Sequence, residues 1–74
     1  MFRTMTLKPA YNRVYKTEEE ALNDWNNGLD FYSITHSAYC SNRDMRYYIQ
    51  DGIIGINIYL DSTLNTYTSI ELDY

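Results

Sequence analysis

YKTEEEALNDWNNGLDF, residues 15–31, is the stretch that decides the fold. Thr17 stands where an N-cap belongs, with Glu20 three residues on. That spacing lets the hydroxyl accept from the Glu20 N–H while the Glu20 carboxylate reaches back to the Thr17 N–H. Glu18, Glu19 and Glu20 fill the first turn, where carboxylates meet the positive end of the helix dipole. Ala21, Leu22 and Trp25 share one face, while Asn23, Asp24, Asn26 and Asn27 turn to solvent. Gly28 sits where a left-handed residue ends a helix. Start, face and stop agree on a helix over 18–27. About ten residues do not hold a helix in water alone, so Trp25 is expected to be buried. Leu29 onward, to about Thr35, reads as the strand that leaves the cap.

C-terminal to this stretch, His36–Cys40 reads as a loop. Ser41 with Asp44 repeats the capping spacing with a shorter acid, and predicts a second helix over 42–50. Met45, Tyr48 and Ile49 form its inner stripe. Arg43, Arg46 and Tyr47 point elsewhere, and Asp51-Gly52 ends it. From Ile53 the period becomes two: Ile54, Ile56, Ile58 and Leu60 alternate with Gly55, Asn57 and Tyr59. Asp61-Ser62-Thr63 is a turn. Tyr67–Leu72 returns as a strand, with Thr68, Ile70 and Leu72 on one face and Tyr67, Ser69 and Glu71 on the other.

N-terminal to it, residues 11–16 alternate and read as a strand or an extended lead-in. Residues 1–10 are poorly patterned. Phe2, Met5 and Leu7 suggest a short edge strand or a loosely ordered arm, interrupted by Pro9. The expected fold is α+β: a small antiparallel sheet of three to four strands with two short helices on one face. Trp25, Leu22, Met45 and Ile49 are expected to pack on Phe31, Ile54, Ile56, Ile58 and Ile70. The other sheet face stays wet, with Tyr59, Tyr67 and Tyr32 as candidates to occupy it.

Seventy-four residues make one domain, 1–74. A domain of this size is marginal alone, which keeps a homodimer open. One cysteine excludes an internal disulfide and suits a reducing cytoplasm. No apolar run approaches the roughly 20 residues that span a bilayer. The expectation is a cytoplasmic protein with no membrane partner. A formal net charge of −4 argues against binding nucleic acid by phosphate neutralisation. Nine tyrosines stand against two phenylalanines and one tryptophan. Tyrosine is enriched in interface cores and binding loops, though an AT-rich genome also encodes such a composition.

No residue set supports catalysis. His36 and Cys40 suggest a soft metal site or a nucleophile pair, but structural zinc takes four N or S ligands. No oxyanion-hole motif accompanies them, and a packed thiol is the plainer reading. No glycine-rich phosphate loop is present. No metal, cofactor or enzymatic activity is expected. Glu18, Glu19, Glu20 and Asp24 read first as dipole compensation, second as a cation site or a mimic of nucleic-acid phosphate. Arg43, Arg46 and Tyr47 carry the side-chain types that most often become binding hot spots. They are the first candidates for partner contact, with Tyr59 and Tyr67 on the open sheet face as the second.

The pattern Tyr15-Lys16-Thr17, then Ala21-x-x-x-Trp25-x-x-Gly28-x-Asp30-Phe31, then Tyr39-Cys40-Ser41-x-Arg43-Asp44 resembles that of small bacteriophage-encoded accessory proteins of unknown role. It covers residues 15–60. The resemblance implies a protein that binds a host protein and blocks it, such as a polymerase, nuclease, toxin or CRISPR–Cas component. The alternatives from other classes are a self-assembling homodimeric module with no host target, a small-molecule or nucleotide sensor, and a hydrolase built on His36 and Cys40.

Overall fold

A computed structural model describes residues 3–72. Along the chain come β1 (Thr4–Pro9), α1 (Glu18–Asn26), β2 (Phe31–Ser33), β3 (Ala38–Cys40), a 3-10 turn (Asn42–Asp44), α2 (Met45–Gln50), β4 (Gly55–Tyr59) and β5 (Tyr67–Glu71). The architecture is α+β, with five strands rather than three or four, in the order β3-β2-β1-β4-β5. The sheet is mixed: β1 runs parallel to β4 and antiparallel to β2.

The N-terminal segment is the largest departure from expectation. It is the central strand, neither an arm nor an edge. Met5, Leu7 and Pro9 are buried and alternate with Thr6 and Lys8, a period-two pattern in which Pro9 is the last member. At the end of a strand the missing proline N–H costs little. Phe2, also expected in that strand, lies outside the described residues. Residues 36–40 are not simply a loop, because Ala38–Cys40 pairs with β2 as a hairpin. Residues 11–16 form no strand. Tyr11 and Asn12 both take the left-handed conformation, at φ 57° and 63°, which turns the chain out of the sheet direction. β2 is shorter than the expected 29–35, because Leu29 and Asp30 belong to the close of α1.

Both helices end in the same device. Gly28 (φ 80°) donates its N–H to the Trp25 carbonyl, and Leu29 donates to the Asp24 carbonyl. Gly52 (φ 98°) donates to Ile49, and Ile53 donates to Tyr48. These paired bonds are the Schellman arrangement, in which the residue after the glycine tucks back over the last turn. This explains a second correction. Ile54, expected in the core, is 49% exposed, whereas Ile53 is 1% exposed. The cap of α2 directs Ile53 inward before the strand alternation begins at Gly55.

The helix starts follow the capping rule with one change each. Thr17 Oγ1 accepts from the Glu20 N–H at 3.3 Å, but the Glu20 carboxylate accepts from the Lys16 N–H, at 2.7 Å, rather than from Thr17. Ser41 and Asp44 form a full capping box, with the Ser41 N–H donating to Asp44 Oδ2 at 2.8 Å. The turn they cap is wound as 3-10, tight enough for the shorter aspartate to reach. Asn42 Nδ2 donates to the Asn26 carbonyl at 3.2 Å, docking the start of the second helical segment on the end of the first.

The core lies between the helices and one sheet face. Met5, Leu7, Phe31, Cys40, Ile56 and Ile58 come from the strands, and Ala21, Trp25 and Met45 from the helices. Leu22, Tyr48, Ile49 and Ile70 pack at its margin. Trp25 meets Phe31 edge-on at 5.8 Å, and Tyr15 stacks on the same ring at 5.9 Å. Arg13 lies over Phe31 at 5.0 Å and donates to the carbonyls of Ala10 and Asp30. It also pairs with Asp24 at 3.6 Å. Tyr15 donates its phenol proton to Asp24 Oδ2 at 2.7 Å. Asp24, expected to face solvent, is thus the anchor that ties the 11–16 segment to α1.

Candidate protein-binding surface

The strand registers place side chains on the open face in rows. Lys8 pairs with Tyr32, Tyr32 with Tyr39, and Tyr59 with Tyr67. One position beyond the last β1–β4 pair, Leu7 with Ile58, brings Lys8 level with Tyr59. A single row, Tyr39-Tyr32-Lys8-Tyr59-Tyr67, therefore crosses all five strands. Alternation puts it there: each member is next in sequence to a buried residue, namely Cys40, Phe31, Leu7, Ile58 and Thr68. The next row is smaller and more polar, with Thr6, Asn57 and Ser69 in register. Beyond it, Gly55 lies between Thr4 and Glu71 and leaves a depression of about 450 Å³.

The row is held by ring contacts. Tyr39 meets Tyr32 edge-on at 5.1 Å, and Tyr59 and Tyr67 are tilted at 5.3 Å. Lys8 Nζ sits 5.2 Å from the centre of the Tyr32 ring. Tyr11 folds back from its left-handed backbone and stacks on Tyr39 at 5.5 Å, within 5° of parallel. A bulky residue at positive φ costs on the order of 1 kcal/mol. Here that conformation extends the tyrosine row past the edge of the sheet. Tyr11, Tyr32 and Tyr39, together with Lys8, Pro9, Asn12 and Ser62, line a hollow of about 260 Å³.

The five residues expected to bind a partner fall on two sides of the molecule. Tyr59 and Tyr67 lie in the row on the open face. Arg43, Arg46 and Tyr47 lie on the helical side, all exposed. Tyr47 is free at 72% exposure. Arg43 is folded over the end of α1, where a Cβ on Gly28 would come within 2.9 Å of Arg43 Nε. Lys8, Tyr11 and Tyr39 were missed as surface candidates. Reading residues 1–10 as a loosely ordered arm or a short edge strand hides Lys8, and reading residues 36–40 as a loop hides Tyr39. The alternation of residues 5–9 was the available signal for Lys8.

His36 and Cys40 are placed by packing. Ser33 Oγ accepts from the His36 N–H at 3.2 Å and lies within hydrogen-bond distance of His36 Nδ1, at 3.0 Å. The imidazole lies against the Tyr48 ring at 4.6 Å. Burial, reinforced by the Asp44 charge, pushes the Cys40 thiol up to about 12. A thiol with that affinity for its proton is a poor nucleophile and metal ligand at neutral pH. Among the described residues no cluster of histidine, cysteine, aspartate and glutamate has the makings of a metal site. No helix among them is long and apolar enough to cross a membrane.

No family model, curated protein or solved structure matches this chain.

Proposed function

We propose that this chain is a non-enzymatic binding protein that covers a surface on another protein with the tyrosine row of its open sheet face. The observation that carries the reading is that row: five aligned side chains, four of them tyrosine, on the face away from the helices. Tyrosine offers a rigid ring with a polar tip and loses little conformational entropy on contact. The rings are already fixed by one another, so the surface is preorganised. Lys8 is the one cation in the row, and the net charge of −4 disfavours a nucleic-acid backbone as the partner. The resemblance to phage accessory proteins supports a host protein as the target and occlusion as the mode of action.

The test begins with a partner captured from host extract and measured by calorimetry. Tyr32→Ala and Tyr67→Ala are each expected to weaken binding by more than about 1 kcal/mol, the mark of an energetically important contact. Arg43→Ala and Tyr47→Ala are expected to leave it within about 0.5 kcal/mol, the usual range for surface changes away from special features. Loss of affinity in the second pair alone would move the contact to the helical side.

A further inference from the structure

We infer that the free edge of β5 is a self-pairing edge, and that the chain forms a two-fold dimer through β5 against β5 of a second copy. The backbone bonding pattern carries this. Leu60 donates its N–H to the Thr66 carbonyl, and Leu72 donates to Ile54, both at 2.9 Å. Antiparallel pairs alternate between bonded and non-bonded, so Thr66, Thr68, Ile70 and Leu72 direct their backbone groups to β4. The N–H and C=O groups of Tyr67, Ser69 and Glu71 point the other way. β5 is the last strand of the sheet, and no hydrogen bond from another described element reaches those groups.

Three outward residues at i, i+2 and i+4 are self-complementary about the middle one. With Ser69 facing Ser69 of the second copy, Tyr67 faces Glu71 and Glu71 faces Tyr67. All three positions become bonded pairs, closing six backbone hydrogen bonds around one two-fold axis. The side chains agree with the register. The Tyr67 phenol lies opposite a Glu71 carboxylate that accepts its proton, and like charges do not meet. On the inner face Thr68 lies opposite Ile70, which is only partly covered in one chain. The strand also lacks the devices that block such pairing: Tyr67–Glu71 has no lysine, no proline and no bulge. The opposite edge, β3, has only three residues. The two-fold stands normal to the sheet, so both tyrosine rows face the same side. Self-pairing does not depend on the partner reading above, and a dimer without a host target remains compatible with it.

Sedimentation velocity across a hundredfold concentration range tests the pairing. The wild type is expected to move from monomer to a species of twice the monomer mass. Ser69→Pro removes an outward N–H without touching a backbone bond to β4, losing there only the exposed side-chain bond from Ser69 Oγ to Asn57 Oδ1, and is expected to raise the dimer dissociation constant at least tenfold. Ser69→Lys places like charges opposite one another and is expected to do the same if proline disturbs the strand. The register is tested by mild oxidation. Ser69→Cys is expected to cross-link, because bonded antiparallel Cα atoms lie about 5.5 Å apart, within disulfide reach. Tyr67→Cys, which faces Glu71, is expected not to. A monomer at every concentration overturns the proposal. So does a dimer that both Ser69 variants leave intact, or cross-linking at position 67 without cross-linking at 69.

Discussion

Trp25 is the residue on which the helical layer turns. It is 3% exposed and meets Phe31 edge-on. Trp25→Ala is expected to cost 3–5 kcal/mol, roughly the range for a large aromatic removed from a core. That is enough to unfold a domain this small, and denaturation by urea would show it. A midpoint close to wild type would mean that the helix is packed by another face. Trp25 was legible because helix period, capping and the glycine stop all placed it. Asp24 was not. Helical period sends it to solvent, and only the fold of residues 11–16 brings Tyr15 and Arg13 onto it. Tyr15→Phe removes the phenol bond to Asp24 and is expected to cost about 1 kcal/mol, the net worth of a typical hydrogen bond. The same fold withdraws Asp24 from the acidic helix start, leaving three exposed carboxylates, Glu20 engaged by the Lys16 N–H and the pair Glu18 and Glu19. Neutralising that pair is expected to leave partner affinity and its salt dependence unchanged.

At the scale of elements, the glycines that close the two helices decide which neighbours go inside. Gly52 takes φ 98°, and its cap buries Ile53 in place of Ile54. Gly52→Ala is expected to destabilise by about 1 kcal/mol, since an L-residue is strained in the left-handed region. A thermal melt unchanged by the substitution would contradict the cap. The glycine stop was readable in the sequence, but the inward turn of the residue after it was not. Strict alternation backward from Ile56 selects Ile54, and the cap overrides it. The central place of β1 was hidden for a different reason. Its pairing with β4 spans about fifty residues of chain, and period-two signals in six residues do not reveal a parallel neighbour so far away.

The whole molecule has a helical side, which holds the core and both ionisable groups most changed by burial, and an open side, which carries the tyrosine row. Burial raises the Cys40 thiol from its ordinary 9.0 to about 12 and raises Tyr15 above its ordinary range, with the Asp24 hydrogen bond adding to the latter. Both groups hold their protons more tightly when folded. Their contribution is fully present below about pH 9, the ordinary thiol value, and is lost as pH rises toward 12. Urea midpoints are therefore expected to fall between pH 9 and 11, with a shallower fall in Cys40→Ala. A flat profile in the wild type would mean that neither group is buried as described. The tyrosine row is the part of the surface that sequence reading reached in half. Tyr59 and Tyr67 followed from the last hairpin and Tyr32 from the strand after α1, while Tyr39 and Lys8 needed the five-strand order to align them and Tyr11 its left-handed turn.

The central claim is that partners are met by the open face, and the nine tyrosines supply their own probes. The most direct measurement is fluorine NMR of the chain labelled with fluorotyrosine, each resonance assigned by single Tyr→Phe variants, before and after addition of the captured partner. The resonances of Tyr32, Tyr39, Tyr59 and Tyr67 are predicted to shift or broaden together, while Tyr47, on the helical side, stays in place. A shift at Tyr47 with the row unmoved would contradict the account.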